Sequence, residues 1–350
     1  MFVVRPARLD DLDGLQALAK QAGNELTTLP DHRPTLKKKI VSSVHAFSSK
    51  PAKTEKRTYL LVLEDLATGA IAGTSALVVG LGYDKPFYTY RLLHQTQVSY
   101  VPDMRVDTEL LQLSNDFLGA TEVATLFLAP EYRKGKLGKL LSKARYMLMA
   151  AHPDHFSDTI ISEIRGWLDE NGNSPFWESI GRHFFGMNFK EADKINGQGN
   201  SQFISDLMPK FPIYTSLLPK EARNVIGKTH DMATAAIRLL EREGFRFTGA
   251  VDIFDAGPAM EAHKKLIWTI RKCEVDTLGG IVEGVGRTPT HLAANGSLDT
   301  FRVVKTNVIE GGSGSSGTWL PSKAAEALGI KVGDPIHYSP LEQVSDDFGV

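Results

Sequence analysis

The sequence has one cysteine, Cys273, in 350 residues. A single thiol excludes an internal disulfide and a zinc site built from cysteines, and it fits a reducing compartment. Long hydrophobic runs are lacking too. The longest apolar stretch, Ala70 to Leu81, contains Gly73, Thr74 and Ser75 and is too short to span a bilayer. Arg5, Arg8, Asp10, Asp11 and Asp13 interrupt the opening residues, so the apolar core of a signal peptide is missing. The expectation is a soluble cytoplasmic protein that binds no membrane. Neither sign of charge is in excess: 40 Lys plus Arg against 41 Asp plus Glu give a net charge of -1. Bulk attraction to nucleic acid is thereby disfavoured, and no basic-aromatic motif suggests it. No G-x-x-x-x-G-K-[ST] loop is present, and no G-x-G-x-x-G follows an early strand. A nucleotide-hydrolysing P-loop and a dinucleotide fold are therefore not expected. The pair His152 and His155 is separated by Pro153, which breaks the helix face that would align them, so no metal is expected.

What is present alternates between strand-like and helix-like patterns, which predicts an α+β protein with a mixed sheet. The length suits two domains and a small third, divided as 1–190, 191–278 and 279–350. Strands are expected at Phe2–Arg5, Tyr59–Leu63, Ala70–Val79, Val123–Leu128, Ile160–Trp167, Phe184–Phe189 and Phe301–Val308. Helices are expected after a cap at Asp10, after Ser174-Pro175, at Ala222–Ile226, at Thr234–Glu243 and at Pro321–Leu328. The stretch from Tyr83 to Leu118 follows no clear period. Gly311 to Gly317 has the composition of a flexible loop, and 279–350 is expected to form a small β-rich module.

The most informative stretch runs from Val123 to Ala151. A compact apolar strand, VATLFL, is followed by a loop containing Arg133, Lys134, Gly135, Lys136 and Gly138. A helix follows, with Leu137, Leu140, Leu141, Ala144, Met147, Leu148 and Ala151 on one stripe. A helix start presents unpaired N–H groups and the positive end of the dipole. Glycines let a phosphate approach those groups, and the lysines and Arg133 add charge. The same pattern also describes a solvated basic helix start, and the local sequence alone leaves both readings open.

Strand, basic glycine loop and helix together resemble the coenzyme-A signature of the GNAT superfamily of acyl-CoA-dependent N-acyltransferases, although Lys136 stands where that family usually has glycine. A closer resemblance covers roughly residues 1 to 310. LTTLP (26–30), TLFL (125–128), LLSKARYMLMAA (140–151), EIRGWLDENGNSPFW (163–177), FFGMNF (184–189), LMPKFPIYTSLL (207–218), VIGKTH (225–230), LEREGFRF (240–247) and DIFDAGP (252–258) are similar to the arginine N-succinyltransferase family. The resemblance implies a GNAT-like acyl-CoA-binding domain in 1–190, completed by 191–278. It implies a reaction between succinyl-CoA, a co-substrate rather than a prosthetic group, and L-arginine. It also implies a homo- or hetero-oligomer. Alternatives are an acetyl-CoA-dependent enzyme acting on arginine or ornithine, and a non-catalytic acyl-CoA-binding subunit.

Carried onto this sequence, the resemblance makes His230 the proton donor and Leu126 a succinyl-CoA contact. Phe127 and Leu128 continue the strand along which the pantetheine arm would lie, and Arg133, Lys134, Gly135, Lys136 and Gly138 would hold its phosphates. Histidine suits the task, because the departing thiolate needs a proton near neutrality. The guanidinium of the acceptor calls for carboxylates, and the carboxylates of the substrates call for cations. Glu163 and Arg165 offer both signs, either as binding groups or as an ion pair. Glu122 is a candidate base.

Overall fold

The computed structural model describes residues 1–23, 26–51, 54–197, 206–230, 233–284, 288–310 and 317–343. The apolar runs pair into one mixed sheet. Its strands in chain order are β1 Phe2–Pro6, β2 Arg57–Asp65, β3 Ile71–Val79, β4 Thr89–Tyr100, β5 Asp103–Ser114, β6 Thr121–Leu128, β7 Thr159–Glu163 and β8 Ile213–Tyr214. They continue with β9 Arg246–Asp252, β10 Pro258–His263, β11 Glu274–Val282, β12 His291–Asn295, β13 Val303–Thr306, β14 Ile309–Glu310, β15 Thr318–Pro321 and β16 Pro335–Pro340. Across the sheet the order is β14-β15-β11-β16-β12-β13-β1-β2-β3-β6-β7-β10-β9-β4-β5-β8. β13 pairs antiparallel with β1, Val304 opposite Val3, so the C-terminal strands continue the sheet of the N-terminal ones.

Helices α1 (Leu12–Ala22) and α2 (Arg33–Ser48) cover one face of the central strands. Leu15, Leu18, Leu36 and Ile40 pack there with Leu60, Val62 and Ala76. Helix α3 (Leu137–Ala151) covers the other face, where Leu140, Leu141 and Ala144 meet Leu61, Leu77 and Val123. Successive strand residues point to opposite faces, which is how β2 and β3 serve both cores. Among the described residues no helix is long and apolar enough to cross a membrane.

Several expectations meet a different local answer. The cap of α1 is Asp11, not Asp10: a short 3-10 turn at Leu9–Asp11 precedes the helix. The Asp11 carboxylate takes the Arg5 guanidinium in a two-bond fork at 2.8 and 2.9 Å and accepts from the Arg8 amide at 2.7 Å. Phe184–Phe189 is not a strand. It spans the end of the helix Gly181–Phe185, a left-handed Gly186 and the start of the helix Phe189–Gly197. Phe185 and Phe189 join a core instead, Phe185 stacking on Trp177 at 5.3 Å, while Phe184 stays exposed. The strand expected to reach Trp167 stops at Glu163, and Gly166 makes an isolated bridge to Thr229. The stretch without a period folds as the long β4–β5 hairpin. Ser174 caps its helix as expected, accepting from the Trp177 amide at 3.1 Å. Most of the expected Gly311–Gly317 loop lies outside the described residues.

Candidate active site

β6 lies near the middle of the sheet, between β3 and β7, yet its last three residues are half-exposed. The pairing explains this. β6 and β7 run parallel and pair only at Thr121–Ile160 and Glu122–Ile161. The Ser162 hydroxyl then donates to the Val123 carbonyl at 3.0 Å, and the strands part. Beyond that fork, Leu126, Phe127 and Leu128 keep β3 as partner, and their other edge faces an opening. An open edge inside a sheet is a template for an extended ligand, which can add as a strand through backbone groups.

The edge is also bent. Between the pairs Thr74–Phe127 and Ala76–Ala124 the register shifts, leaving Thr125 and Leu126 opposite Ser75. Thr125 takes a left-handed conformation with φ of 54°. A β-branched residue at positive φ is strained by about 1–3 kcal/mol, and such a bulge re-aims the backbone groups beside it. Gly73 permits the close approach: a Cβ there would stand 2.7 Å from the Phe127 carbonyl oxygen and 2.9 Å from Leu141.

Past the end of β6 the chain makes a 3-10 turn at Pro130–Tyr132 and enters the basic loop. Gly135 and Lys136 are both left-handed, with φ of 60° and 61°, and this double turn aims the start of α3 back at the fork. Among the described residues no acceptor meets the amides of Gly135, Lys136, Gly138 and Lys139. Arg133, Lys134 and Lys136 are exposed. Arg133 leans back, donating to the Leu128 carbonyl at 3.0 Å with its guanidinium 5.9 Å from the Phe127 ring. Unpaired amides, a helix start and the cations Arg133, Lys134, Lys136 and Lys139 within seven residues suit a diphosphate. The C-terminal strands reach this loop. Lys305 donates to the Gly135 carbonyl, and Glu342 bridges Lys136 at 3.0 Å and Lys139. Those lysines hold the Glu342 carboxyl down at about 2. Sequence patterning gave no sign of Lys305 or Glu342, which lie far along the chain.

At the floor of the fork, carboxylates gather from separate segments. Burial, and then Asp252, Glu122 and Asp255 as negative neighbours, push the Glu163 carboxyl well above its ordinary range. Burial and Asp255 raise Asp252 to about 8, although it accepts from the Phe254 and Asp255 amides at 2.7 and 2.9 Å. Burial likewise raises Glu122, against the opposing pull of Lys56, Lys39 and Arg145. Arg165 does not relieve Glu163. Its guanidinium forks onto Asp193 at 3.2 and 2.7 Å and sits 3.4 Å from Asp255. The Glu163–Arg165 segment therefore contributes a structural ion pair through Arg165, and among the described residues no cation pairs with Glu163. Asp252 and Asp255 belong to DIFDAGP, whose turn is fixed by close contact: a Cβ on Gly257 would stand 2.0 Å from the Ile164 carbonyl.

His230 is half-buried next to the continuation of β7. Its amide donates to the Arg165 carbonyl at 3.0 Å, and its carbonyl accepts from the Ala233 amide at 2.9 Å. The preceding Thr229 bridges Gly166 and lines a pocket of about 820 Å³ with Trp167, Glu241, Phe245 and Phe247. The fold thus brings His230 and Glu163 to the β7 side and places Leu126, Phe127 and Leu128 on the β6 side.

A family model described as arginine N-succinyltransferase beta subunit matches residues 2–269, and one for its C-terminal domain matches 271–340. An arginine N-succinyltransferase from Escherichia coli O17:K52:H18 is 42% identical over 306 residues, covering 87% of this chain and 88% of the relative. The protein of that name from Escherichia fergusonii gives the same identity and coverage. The solved structure of arginine/ornithine succinyltransferase subunit AI from Pseudomonas aeruginosa superposes with a TM-score of 0.86 at 33% identity, covering 98% of this chain and 99% of that one.

Proposed function

The chain belongs to the arginine N-succinyltransferase family and is an acyltransferase, and from that membership we propose that it moves the succinyl group of succinyl-CoA to the α-amine of L-arginine. The products are N2-succinyl-L-arginine and coenzyme A, a step of arginine catabolism proposed to run in the cytoplasm. The observation that carries the proposal is the half-exposed inner edge of β6, followed directly by the cationic start of α3. Succinyl-CoA serves as co-substrate. Its pantetheine arm lies along Leu126, Phe127 and Leu128. Its diphosphate rests on the amides of Gly135, Lys136 and Gly138, with Arg133 and Lys134 supplying charge.

The arginine amine attacks the thioester carbon. Glu122, raised above its usual range and set at the fork, takes the proton the amine loses. The tetrahedral oxyanion is stabilised by a backbone N–H at the Thr125–Leu126 bulge. Collapse breaks the carbon–sulfur bond, and His230 protonates the departing thiolate. The guanidinium is drawn to Glu163 and Asp252 by charge-assisted hydrogen bonds. In this division 1–190 binds the donor, 191–278 supplies the acceptor side with His230 and Asp252, and 279–350 reaches the phosphate loop through Lys305 and Glu342.

The test is thiol release from succinyl-CoA by the purified protein. Release that depends on L-arginine is expected, and arginine-independent release or an equal rate with acetyl-CoA would refute the proposal. His230→Ala should lower kcat about 100- to 10,000-fold with unchanged CoA affinity; an unchanged kcat removes His230 from the mechanism. A second acceptor, ornithine, is favoured by the likeness to the Pseudomonas arginine/ornithine succinyltransferase subunit and is read in the same assay. Assembly into an oligomer is also proposed, supported by the apolar tip of the β4–β5 hairpin, where Tyr100 and Val101 are 87% and 90% exposed.

A further inference from the structure

The loop between α1 and α2 packs against the donor strand. Leu29 and Leu36 share a core with Ala129, and Leu26 and Phe127 rest on it. Lys39 lies on α2 between the buried Leu36 and Ile40, so its stem is carried inward with them. Its ammonium donates to the Thr28 carbonyl, and among the described residues it forms no ion pair. An ammonium has three donors, so two remain. The Thr28 hydroxyl is buried and, among the described residues, has no hydrogen-bond partner. It belongs to the residue that Lys39 already touches. Two kinds of donor, one of them cationic, therefore meet in a shielded place where, among the described residues, the ammonium has the Thr28 carbonyl and the hydroxyl has no acceptor. Buried polar groups are rarely left in that state, and an anion supplies what both lack.

We propose that Lys39 and the Thr28 hydroxyl form a subsite for a substrate carboxylate, and that this carboxylate is the free end of the succinyl group. The assignment rests on the acyl-transfer reading above. The wall that carries Lys39 packs on Phe127 and Ala129, and Lys39 also feels the charge of Glu122 at the thioester end of the same strand, so a carboxylate anchored there belongs to the acyl group. The cationic end of the acceptor is drawn the opposite way, to the carboxylates of the β7 side. Lys39 thereby decides between succinyl and acetyl donors: an acetyl group offers nothing for it to hold.

The subsite also has a pH signature. Burial lowers the Lys39 ammonium to about 8; Glu122 on β6 favours the charge and Lys56 before β2 opposes it. Above that pH the empty subsite loses its cation. The ratio of kcat/KM for succinyl-CoA over acetyl-CoA should fall as pH rises through about 8. Taking the ratio cancels the titration of the amine, which both donors share.

The experiment measures kcat/KM for both donors, with L-arginine and with agmatine, which lacks the α-carboxylate. Enzyme concentrations are set high enough to read slow acetyl transfer. Lys39→Met should lower the ratio of kcat/KM for succinyl-CoA over acetyl-CoA about 10- to 100-fold, the ratio cancelling whatever the lost ammonium does to Glu122. Thr28→Val should shift the ratio several-fold in the same direction, and Lys39→Arg should restore part of it. If the arginine-to-agmatine ratio moves instead, the subsite holds the acceptor's carboxylate and the donor assignment is overturned. If neither ratio moves in a folded variant, the subsite itself is overturned. Should Lys39→Met fail to fold, Thr28→Val and Lys39→Arg decide by the same ratios. Wild-type protein that releases no thiol from succinyl-CoA with arginine refutes the activity, a different failure.

Discussion

Two sets of charged side chains are buried beside the central strands, one on α3 and one at the β6–β7 fork. On α3, the Lys143 ammonium meets Glu243 at 2.7 Å and the Thr269 hydroxyl at 3.1 Å and lies 4.2 Å from the Trp268 ring. Glu243 also accepts from the Thr269 amide and hydroxyl, both at 2.9 Å. In this pair each charge has its counter-charge and its hydrogen bonds, while Arg145 on the same helix donates to Ser142. At the fork, Glu163 and Asp252 face other carboxylates, and the nearby Arg165 is committed to Asp193 and Asp255. Burial is common to both sets; completeness is not. A finished network holds a fold together, whereas an unfinished one stores a demand that a ligand of opposite charge can meet.

The comparison breaks if removing one member of the finished set proves harmless. Glu243→Ala leaves Lys143 and Thr269 buried without their partner and should cost about 3–5 kcal/mol of stability, read by denaturant unfolding. Stability within 1 kcal/mol of wild type would show that the two sets do not differ as claimed. Glu163→Gln should do the reverse. It removes an unmatched charge, so the fold is kept, while kcat/KM for arginine falls about 10- to 100-fold. The pH dependence has a definite sign. Glu163 is raised in the folded state, so the folded protein holds that proton longer than the unfolded chain. Wild type therefore loses stability relative to the variant as pH rises from the ordinary carboxylate range through the raised value. Melting temperatures should agree near pH 4 and diverge in favour of Glu163→Gln toward pH 8. A variant less stable than wild type at pH 8 would mean that Glu163 is already satisfied within the protein.

How visible each set is in the sequence follows from its locality. The β6 strand, the glycine loop and the stripe of α3 lie within 123–151, where a buried run, left-handed glycines and a 3.6-residue period are read directly. The acidic floor draws Glu122 from β6, Glu163 from β7, and Asp252 and Asp255 from the end of β9 and the turn after it, and only the pairing of β6, β7, β10 and β9 brings them together. Nothing in the spacing of EIRGW says that Arg165 is taken by Asp193. FFGMNF misleads for a different reason. Its aromatics suit a strand by propensity, but stacking on Trp177 and the left-handed Gly186 decide for two short helices. β4–β5 hides because most of its outer half is exposed on both faces, so no alternation marks it.

The phosphate loop lies between the two extremes, since its cations are exposed and partly matched. Glu342 bridges Lys136 and Lys139 from the C-terminal segment, with its side chain 46% exposed. A diphosphate settling on Gly135, Lys136 and Gly138 competes with that carboxylate for the same two ammonium groups. Exposed ion pairs contribute about 0–1 kcal/mol, so the competition is mild. Glu342→Gln should therefore lower KM for succinyl-CoA about two- to fivefold, with kcat unchanged. The gain should shrink as salt is raised, because screening weakens the bridge it removes. Burial does not protect this bridge as it protects Lys143–Glu243, so stability should stay within about 0.5 kcal/mol of wild type. A raised KM would instead make Glu342 a brace that positions the lysines for the phosphates, and would place this corner with the finished network rather than the open one.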